Sequence, residues 1–129
     1  MDAAVENAFD TSLPFTVHRV SRQSFGQTYF TRIRKAFQLV HQDPTVTVIS
    51  SGKFSLWLGA LLRIRYSKLK MLAVIHGTEI KAGGWFSRLI TKKSLSCFSK
   101  IIAVSQFTKS KVLEVQPQAN VTIITNGVV

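Results

Sequence analysis

Cysteine, acidic side chains and long apolar runs are all scarce in this sequence of 129 residues. The single cysteine, Cys97, has no partner for an internal disulfide, and the N-terminus lacks the basic and then apolar pattern of a secretory signal. We therefore expect a cytoplasmic protein. The longest apolar stretch, residues 54–62, is about half as long as the ~20 residues that a membrane-spanning helix needs, so it predicts a core helix.

The shortage of acids leaves a strongly basic chain. Lys and Arg number 17 against 6 for Asp and Glu, which gives a net charge of +11 at pH 7. Such a surplus attracts anions: nucleic acid, acidic lipid headgroups or phosphorylated substrates. Hydrophobic residues make up 46% of the chain, too many for a disordered protein, and the length fits one domain.

Motifs of several common chemistries are also missing. The sequence has no G-x-G-x-x-G, H-E-x-x-H, C-x-x-C or Asp-x-Asp motif, and its three histidines lack the spacing of metal ligands. Gly52-Lys53 matches the end of a P-loop, but Thr47 and Phe54 stand where that motif needs other residues. Cys97 lies in a predicted apolar helix, which favours an inert buried thiol. The residues therefore predict no metal site.

Short β-branched runs alternate with helical periodicity after an irregular stretch over residues 1–14. The predicted strands cover residues 15–20, 45–50, 70–75, 101–104 and 121–125, and the predicted helices cover residues 27–42, 53–64, 85–98 and 106–115. This alternation predicts an α/β fold with a mostly parallel sheet of about five strands and helices on both faces. Residues 1–14 are interpreted as a leader or the remnant of a truncated element, and residues 15–129 as the domain.

Ligands of open parallel sheets collect at the carboxyl ends of the strands. The small or polar residues predicted to lie there are Ser51, Gly52 and Lys53, then His76, Gly77, Thr78 and Glu79, then Ser105, and finally Asn126 and Gly127. Ser50, Ser51 and Ser105 are suitable N-caps, and a helix N-terminus favours an anion. The alternative, that these serines only cap their helices, remains open.

His76 and Glu79 are the candidates for chemistry at this edge. Gly77 lets the chain turn sharply after His76, and Glu79 is one of only six acids. The pair could hydrogen-bond ligand hydroxyls or orient each other. Alternatively, His76 is structural and Glu79 complements a helix dipole. Gly127 after Asn126 predicts a turn with positive φ.

Three segments, in this order and spacing, carry a family resemblance: L-A-V-I-H-G-T-E over 72–79, I-I-A-V-S-Q-F-T over 101–108 and V-T-I-I-T-N-G-V-V over 121–129. They resemble the N-terminal, acceptor-side domain of family 4 glycosyltransferases, in which two Rossmann-like domains form the GT-B fold. The resemblance covers residues 70–129 well and 15–69 loosely. It implies transfer of a sugar from a nucleotide-sugar donor to a glycan or lipid-linked acceptor, with retention of configuration and without metal or cofactor.

The resemblance also implies roles for individual residues. His76 is similar to a histidine that faces the donor sugar, and Glu79 lies near the acceptor side, so both are candidate catalytic residues. The predicted substrate-binding residues are Ser51, Gly52, Lys53 and Thr78, from their place at the carboxyl edge alone, and Gly77, Ser105, Asn126 and Gly127, which also match the family's motifs. The family commonly has Asp two residues after the last of these glycines, where this chain has Val129.

The sequence departs from the family pattern at both ends. Residues 1–14 contain neither the strand nor the Gly-rich loop with which the family begins, and the chain stops before the paired glutamates of the donor domain. We therefore interpret the chain as a glycosyltransferase segment truncated at both ends and expect it to transfer no sugar alone. Loss of a central strand would expose sheet edges, which predicts self-association.

The basic surplus supports two further hypotheses. A helical stretch combines Trp85, Phe86, Leu89 and Ile90 with Arg88, Lys92 and Lys93. Such a helix can lie on anionic lipid at the inner face of the membrane, and the alternative is a core face opposite a solvated face. The rival from another class is an α/β module that binds nucleic acid. The basic residues are scattered and the aromatics fit core stripes, so we expect no nucleic-acid partner.

Overall fold

A computed structural model describes residues 3–20, 24–81 and 83–127. Its elements in chain order are α1 (Ala3–Ser12), α2 (Phe25–Gln42), β1 (Thr47–Ser51), α3 (Lys53–Arg65), β2 (Lys70–Ile75), α4 (Thr78–Lys81), α5 (Trp85–Ser96), β3 (Lys100–Ala103), α6 (Gln106–Val115) and β4 (Val121–Ile123). The chain divides into two compact units, Met1–Ala36 and Phe37–Val129. The second unit contains the sheet.

The sheet has four parallel strands in the order β1-β2-β3-β4. Neighbouring strands are consecutive in the chain, and α3, α5 and α6 lie in the crossovers between them. Parallel neighbours require such crossovers, because the chain must return to the starting edge before each new strand. All four carboxyl ends therefore lie along one edge of the sheet.

Burial on one face of the sheet sets the direction of its side chains. Met71 and Ile75 on β2 are both fully buried, whereas Leu72, whose side chain points to the opposite face of the sheet, is half-buried. Gly59 lets α3 approach this face, because a Cβ there would lie 2.6 Å from the ring of Phe98 and 2.9 Å from the methyl group of Met71. A shift of one residue would turn the apolar set away from the core, so this packing also determines which residues follow each strand.

The predicted α/β class with a parallel, Rossmann-like sheet is confirmed, with four strands in place of about five. The elements Lys70–Ile75 and Gln106–Val115 have the predicted bounds, and the other helices and strands of the second unit differ by a few residues at their ends. Two elements are absent from the sequence prediction: α1 (Ala3–Ser12), which lies in a stretch that was expected to be irregular, and α4, a single turn at Thr78–Lys81. The four residues of α4 are too few to produce a detectable helical period.

The predicted strand over residues 15–20 is wrong. These residues lie in the first unit and are not part of a β-strand. Arg19 instead forms a bidentate ion pair with Asp10 of α1. Alternating β-branched and aromatic residues favour an extended backbone, but a strand also needs a neighbouring backbone to pair with. The proposed division at residue 14 stays a prediction.

Cys97 also differs from its prediction. The thiol is half-buried at the C-cap of α5, and its Sγ donates to the carbonyl of Lys93 at 3.4 Å. The predicted burial of the thiol is therefore only partial, and Cys97 lies at the end of the helix instead of inside it, because α5 ends at Ser96 and not at Phe98. Within residues 3–20, 24–81 and 83–127, no helix combines the length and the apolar character required to span a bilayer.

Candidate functional site at the carboxyl edge of the sheet

The turns that follow β2, β3 and β4 are neighbours at the carboxyl edge. The N–H of Val104 donates to the carbonyl of Ile75 at 3.3 Å, and the N–H of Ile124 donates to the carbonyl of Ala103 at 3.0 Å. Hydrogen bonding between neighbouring strands thus continues to the end of each strand. His76 and Ser105 follow directly on these bonded residues.

Glu79 builds the turn that carries His76. The residue is buried, at 5% exposure, and its carboxylate accepts the N–H of Gly77 at 2.9 Å and that of His76 at 3.2 Å. Hydrogen bonds to an ionised acceptor are roughly twice as strong as neutral ones. The carboxylate therefore holds the backbone of His76 in place from inside the turn.

Gly77 brings this turn against the next one. Its φ is +112°, a conformation that side chains with a Cβ rarely adopt, so the predicted sharp turn is present. A Cβ added at Gly77 would lie 3.5 Å from Oγ1 of Thr108 in α6. His76 and Thr78 on either side of this buried glycine are exposed, which leaves the imidazole accessible to a ligand.

Ser105 caps α6, as predicted. Its Oγ accepts the N–H of Thr108 at 3.1 Å and lies 3.0 Å from Oγ1 of the same residue. Thr108 is buried, at 2% exposure, and also faces Gly77. A single threonine thus connects the cap after β3 with the turn after β2, so the two turns form one packed unit.

The turn after β1 is built differently from its prediction. Ser50 and Ser51 are the last residues of β1, paired with Ala73 and Val74, so they do not cap α3. The N-cap is Gly52, with φ +91° and ψ 152°, and no side chain of a described residue caps it. The prediction that Ser50 and Ser51 are N-caps was wrong, because pairing with β2 continues to Ser51, one residue beyond the predicted end of the strand.

Lys53 begins α3 and is directed toward neighbouring helix residues. Its Nζ lies 5.5 Å from the centre of the Trp57 ring. A Cβ added at Gly83, two residues before α5, would be 3.4 Å from the same Nζ. The ammonium group thus lies near both α3 and the start of α5, and its predicted role in substrate binding remains a prediction.

Asn126 and Gly127 lie beyond β4 and are exposed. The predicted positive φ at Gly127 is wrong: among the glycines that the structure describes, positive φ occurs at Gly52, Gly77 and Gly83. The chain leaves β4 without the reversal that would require such a conformation. Val129 lies outside the described residues.

The sequence missed two features of the site, the partner of Glu79 and the role of Thr108. The sequence H-G-T-E contained a partial signal for the first, because a glutamate in the first turn of a helix can accept backbone N–H groups at the start of that helix. No local signal identifies Thr108, whose contact with Gly77 joins residues 31 positions apart. In the part of the chain that the structure describes, no three His, Cys, Asp or Glu side chains are grouped as metal ligands.

An open parallel α/β sheet with an exposed histidine and a capped helix at its carboxyl edge is typical of a domain that binds its ligand at that edge. The model of Glycosyltransferase Family 4 matches residues 4–129. The chain therefore belongs to glycosyltransferase family 4, which confirms the resemblance of the three segments. Among curated proteins, none matches this chain.

Proposed function

We propose that this chain takes part in transfer of a sugar from a nucleotide-sugar donor to a glycan or lipid-linked acceptor, with retention of configuration and without a metal ion or cofactor. Family membership supports the reaction class. The observation that carries the proposal is the position of His76, which is exposed at the carboxyl edge on a turn held from within by Glu79.

His76 is the proposed catalytic residue, facing the donor sugar. A neutral imidazole offers one donor and one acceptor, which suits contact with sugar hydroxyls. Glu79 is the proposed positioning residue, because its carboxylate already accepts two backbone N–H groups and lies below the surface. It acts on the substrate through the orientation of His76.

The remaining polar residues of the edge are proposed to bind substrate. Ser105 and the first turn of α6 present a hydroxyl and backbone N–H groups beside the Gly77 turn, an arrangement that favours a phosphate oxygen. Gly52 has open space around the position of a Cβ, so a ligand can approach its backbone closely. The other proposed contacts are Ser51, Lys53, Thr78, Asn126 and Gly127.

This chain assayed alone is expected to give no turnover, because the resemblance assigns most of the donor contacts to a second α/β domain. A panel of radiolabelled nucleotide sugars, offered with glycan and lipid-linked acceptors, measures this directly. Detectable transfer by the purified chain would contradict the expected dependence on a second domain and would leave the reaction class intact.

Binding at the edge is tested separately by NMR titration of the chain with nucleotide sugars at high concentration. We expect amide shifts at His76, Gly77 and Ser105, and weaker binding in His76→Ala. The matched control is His18→Ala, which removes an exposed histidine from the first unit. Shifts confined to other parts of the chain, or equal losses in both variants, would refute the proposed site.

A further inference from the structure

The outward face of α5 carries large apolar side chains. Trp85 is 79% exposed, Phe86 is 62% exposed and Leu89 is 43% exposed. The buried residues of the same helix are Thr91, Ser94 and Leu95. At this helix the largest rings therefore face solvent, while two of the three buried side chains are small and polar, which is the reverse of a helix that only covers a core.

Cations accompany these rings. Arg88, Lys92 and Lys93 are exposed on the same 12-residue helix, which contains no acid. We call this group of six side chains, Trp85, Phe86, Arg88, Leu89, Lys92 and Lys93, the α5 patch. Its combination of exposed rings and cations distinguishes it from an ordinary solvated helix face.

A cleft of about 310 Å³ borders the α5 patch. It is lined by Trp85, Arg88, Leu89 and Lys92 of α5 and by Glu114 and Val115 of α6. The one acid in this lining, Glu114, already pairs with Lys111 at 3.1 Å. The electrostatic potential at the cleft is therefore set by cations, which favours an anionic group beside the exposed rings.

We propose that the α5 patch docks on an anionic lipid bilayer. Trp85, Phe86 and Leu89 enter the interface, and the three cations contact lipid phosphates. A helix with these two components lies in the plane of the interface and binds through apolar burial together with attraction to acidic lipids. The proposal is independent of sugar transfer and of His76.

Charge and ring geometry favour a bilayer over other occupants. A second copy of the chain would bring the same cations and the same net charge of +11 against the patch. The rings of Trp85 and Phe86 meet edge to face, at 83° and 6.0 Å, so they form no parallel platform on which successive bases could stack.

The first test is co-sedimentation of the chain with vesicles of phosphatidylcholine alone and of phosphatidylcholine with phosphatidylglycerol. We expect binding to the acidic vesicles that weakens with added salt. In Trp57→Phe the only remaining tryptophan is Trp85, whose emission should shift to the blue and be quenched by brominated lipid. Equal binding to both vesicle types, or a Trp85 that stays in water, would overturn the proposal.

Two sets of substitutions separate the charged and apolar parts of the patch. Replacing Arg88, Lys92 and Lys93 with Gln should weaken binding about a hundredfold, since each cation near an acidic surface contributes about fivefold. The matched control replaces Lys68, Lys70 and Lys100 with Gln, three exposed cations of which two begin β2 and β3. We expect a loss of a few-fold at most for the control.

The apolar set replaces Trp85, Phe86 and Leu89 with Ser and should weaken binding about tenfold or more. Its control is Leu61→Ser with Ile64→Ser, which removes two exposed apolar side chains from α3. Circular dichroism checks that every variant is folded. Losses as large in the controls as in the patch variants, tighter binding to oligonucleotides than to acidic vesicles, or oligomerisation through Trp85 without vesicle binding would each refute the proposal.

Discussion

The turns after β1 and β2 share a backbone feature and differ in everything around it. Both contain a glycine at positive φ, Gly52 at +91° and Gly77 at +112°. Gly77 is buried, and its turn is held by the carboxylate of Glu79 and packed against Thr108. A Cβ at Gly52 would meet nothing within 4 Å, and no described side chain caps the helix that follows.

This difference shows which of the two turns is held in one conformation by its surroundings. A glycine is needed in both turns for the same conformational reason, but only the second turn has side chains that hold it in one position. Because a site needs its groups held within narrow tolerances, the His76 turn is the better candidate for chemistry. The Gly52 turn is better suited to a backbone contact with a ligand.

The largest expected effect comes from Glu79→Ala. Removing the carboxylate leaves the N–H groups of His76 and Gly77 without their buried acceptor, so we expect a loss of about 3 kcal/mol in the free energy of unfolding. Glu79→Gln keeps one oxygen and should lose about half as much. Urea unfolding measures both, and Glu114→Ala, which removes an exposed acid, should stay within about 0.5 kcal/mol. An equal effect at both acids would show that the carboxylate of Glu79 does not hold the Gly77 turn.

The second prediction compares the two glycines directly. Gly77→Ala and Gly52→Ala should each cost about 1–3 kcal/mol, since both impose a positive φ on alanine. NMR should then show amide shifts at Ser105 and Thr108 in Gly77→Ala alone, because only that turn touches α6. Gly127→Ala is the control, with no positive φ and open space. Matching shifts in Gly52→Ala would show that the two turns are not independent.

A smaller effect should separate the serines. Ser105→Ala removes the cap on the N–H of Thr108 and should destabilise the protein by about 1 kcal/mol. Ser51→Ala should change stability by less than about 0.5 kcal/mol, because Ser51 is exposed at the end of β1 and caps nothing among the described residues. Thermal unfolding of the two variants measures the difference in stability. A larger loss of stability in Ser51→Ala would mean that the turn after β1 also depends on its side chains.

The smallest effect is expected before β1, at the opposite end of the strand from Gly52. Thr45 donates through both its hydroxyl and its N–H to Asp43, and these hydrogen bonds lower the pKa of Asp43 below the ordinary 3.8. The stabilisation is present above pH 3.8 and disappears as the pH falls through the lowered pKa. Carbon-detected NMR titration of the carboxyl group measures this pKa, and Thr45→Val should return it toward 3.8.

The fold was largely predictable because its elements are repeated and periodic. Continuous β-branched runs such as residues 70–75, each followed by a helical period, define consecutive crossover units without knowledge of tertiary contacts. The failure at residues 15–20 came from the opposite situation. A single alternating run has no second run beside it in the chain that specifies a partner, so strand formation there depended on the rest of the molecule.

The site was predictable in position and unpredictable in its contacts. Placing His76, Ser105 and Asn126 at one edge needed only the strand ends and the parallel arrangement. The depth of Glu79, the length of β1 past Ser50 and the exposure of Trp85 are packing outcomes. Each depends on which residues from distant parts of the sequence pack against that position, and a local sequence pattern does not specify those residues.

The order of amino acids by itself determined the class of fold, the family and the set of residues that leave the sheet together, since these follow from periodicity and from short motifs along the chain. Tertiary packing alone decided that Glu79 lies inside its turn while His76 lies outside. It also decided that Thr108 joins the turns after β2 and β3, because contacts between residues far apart in sequence form only when the helices pack against the sheet.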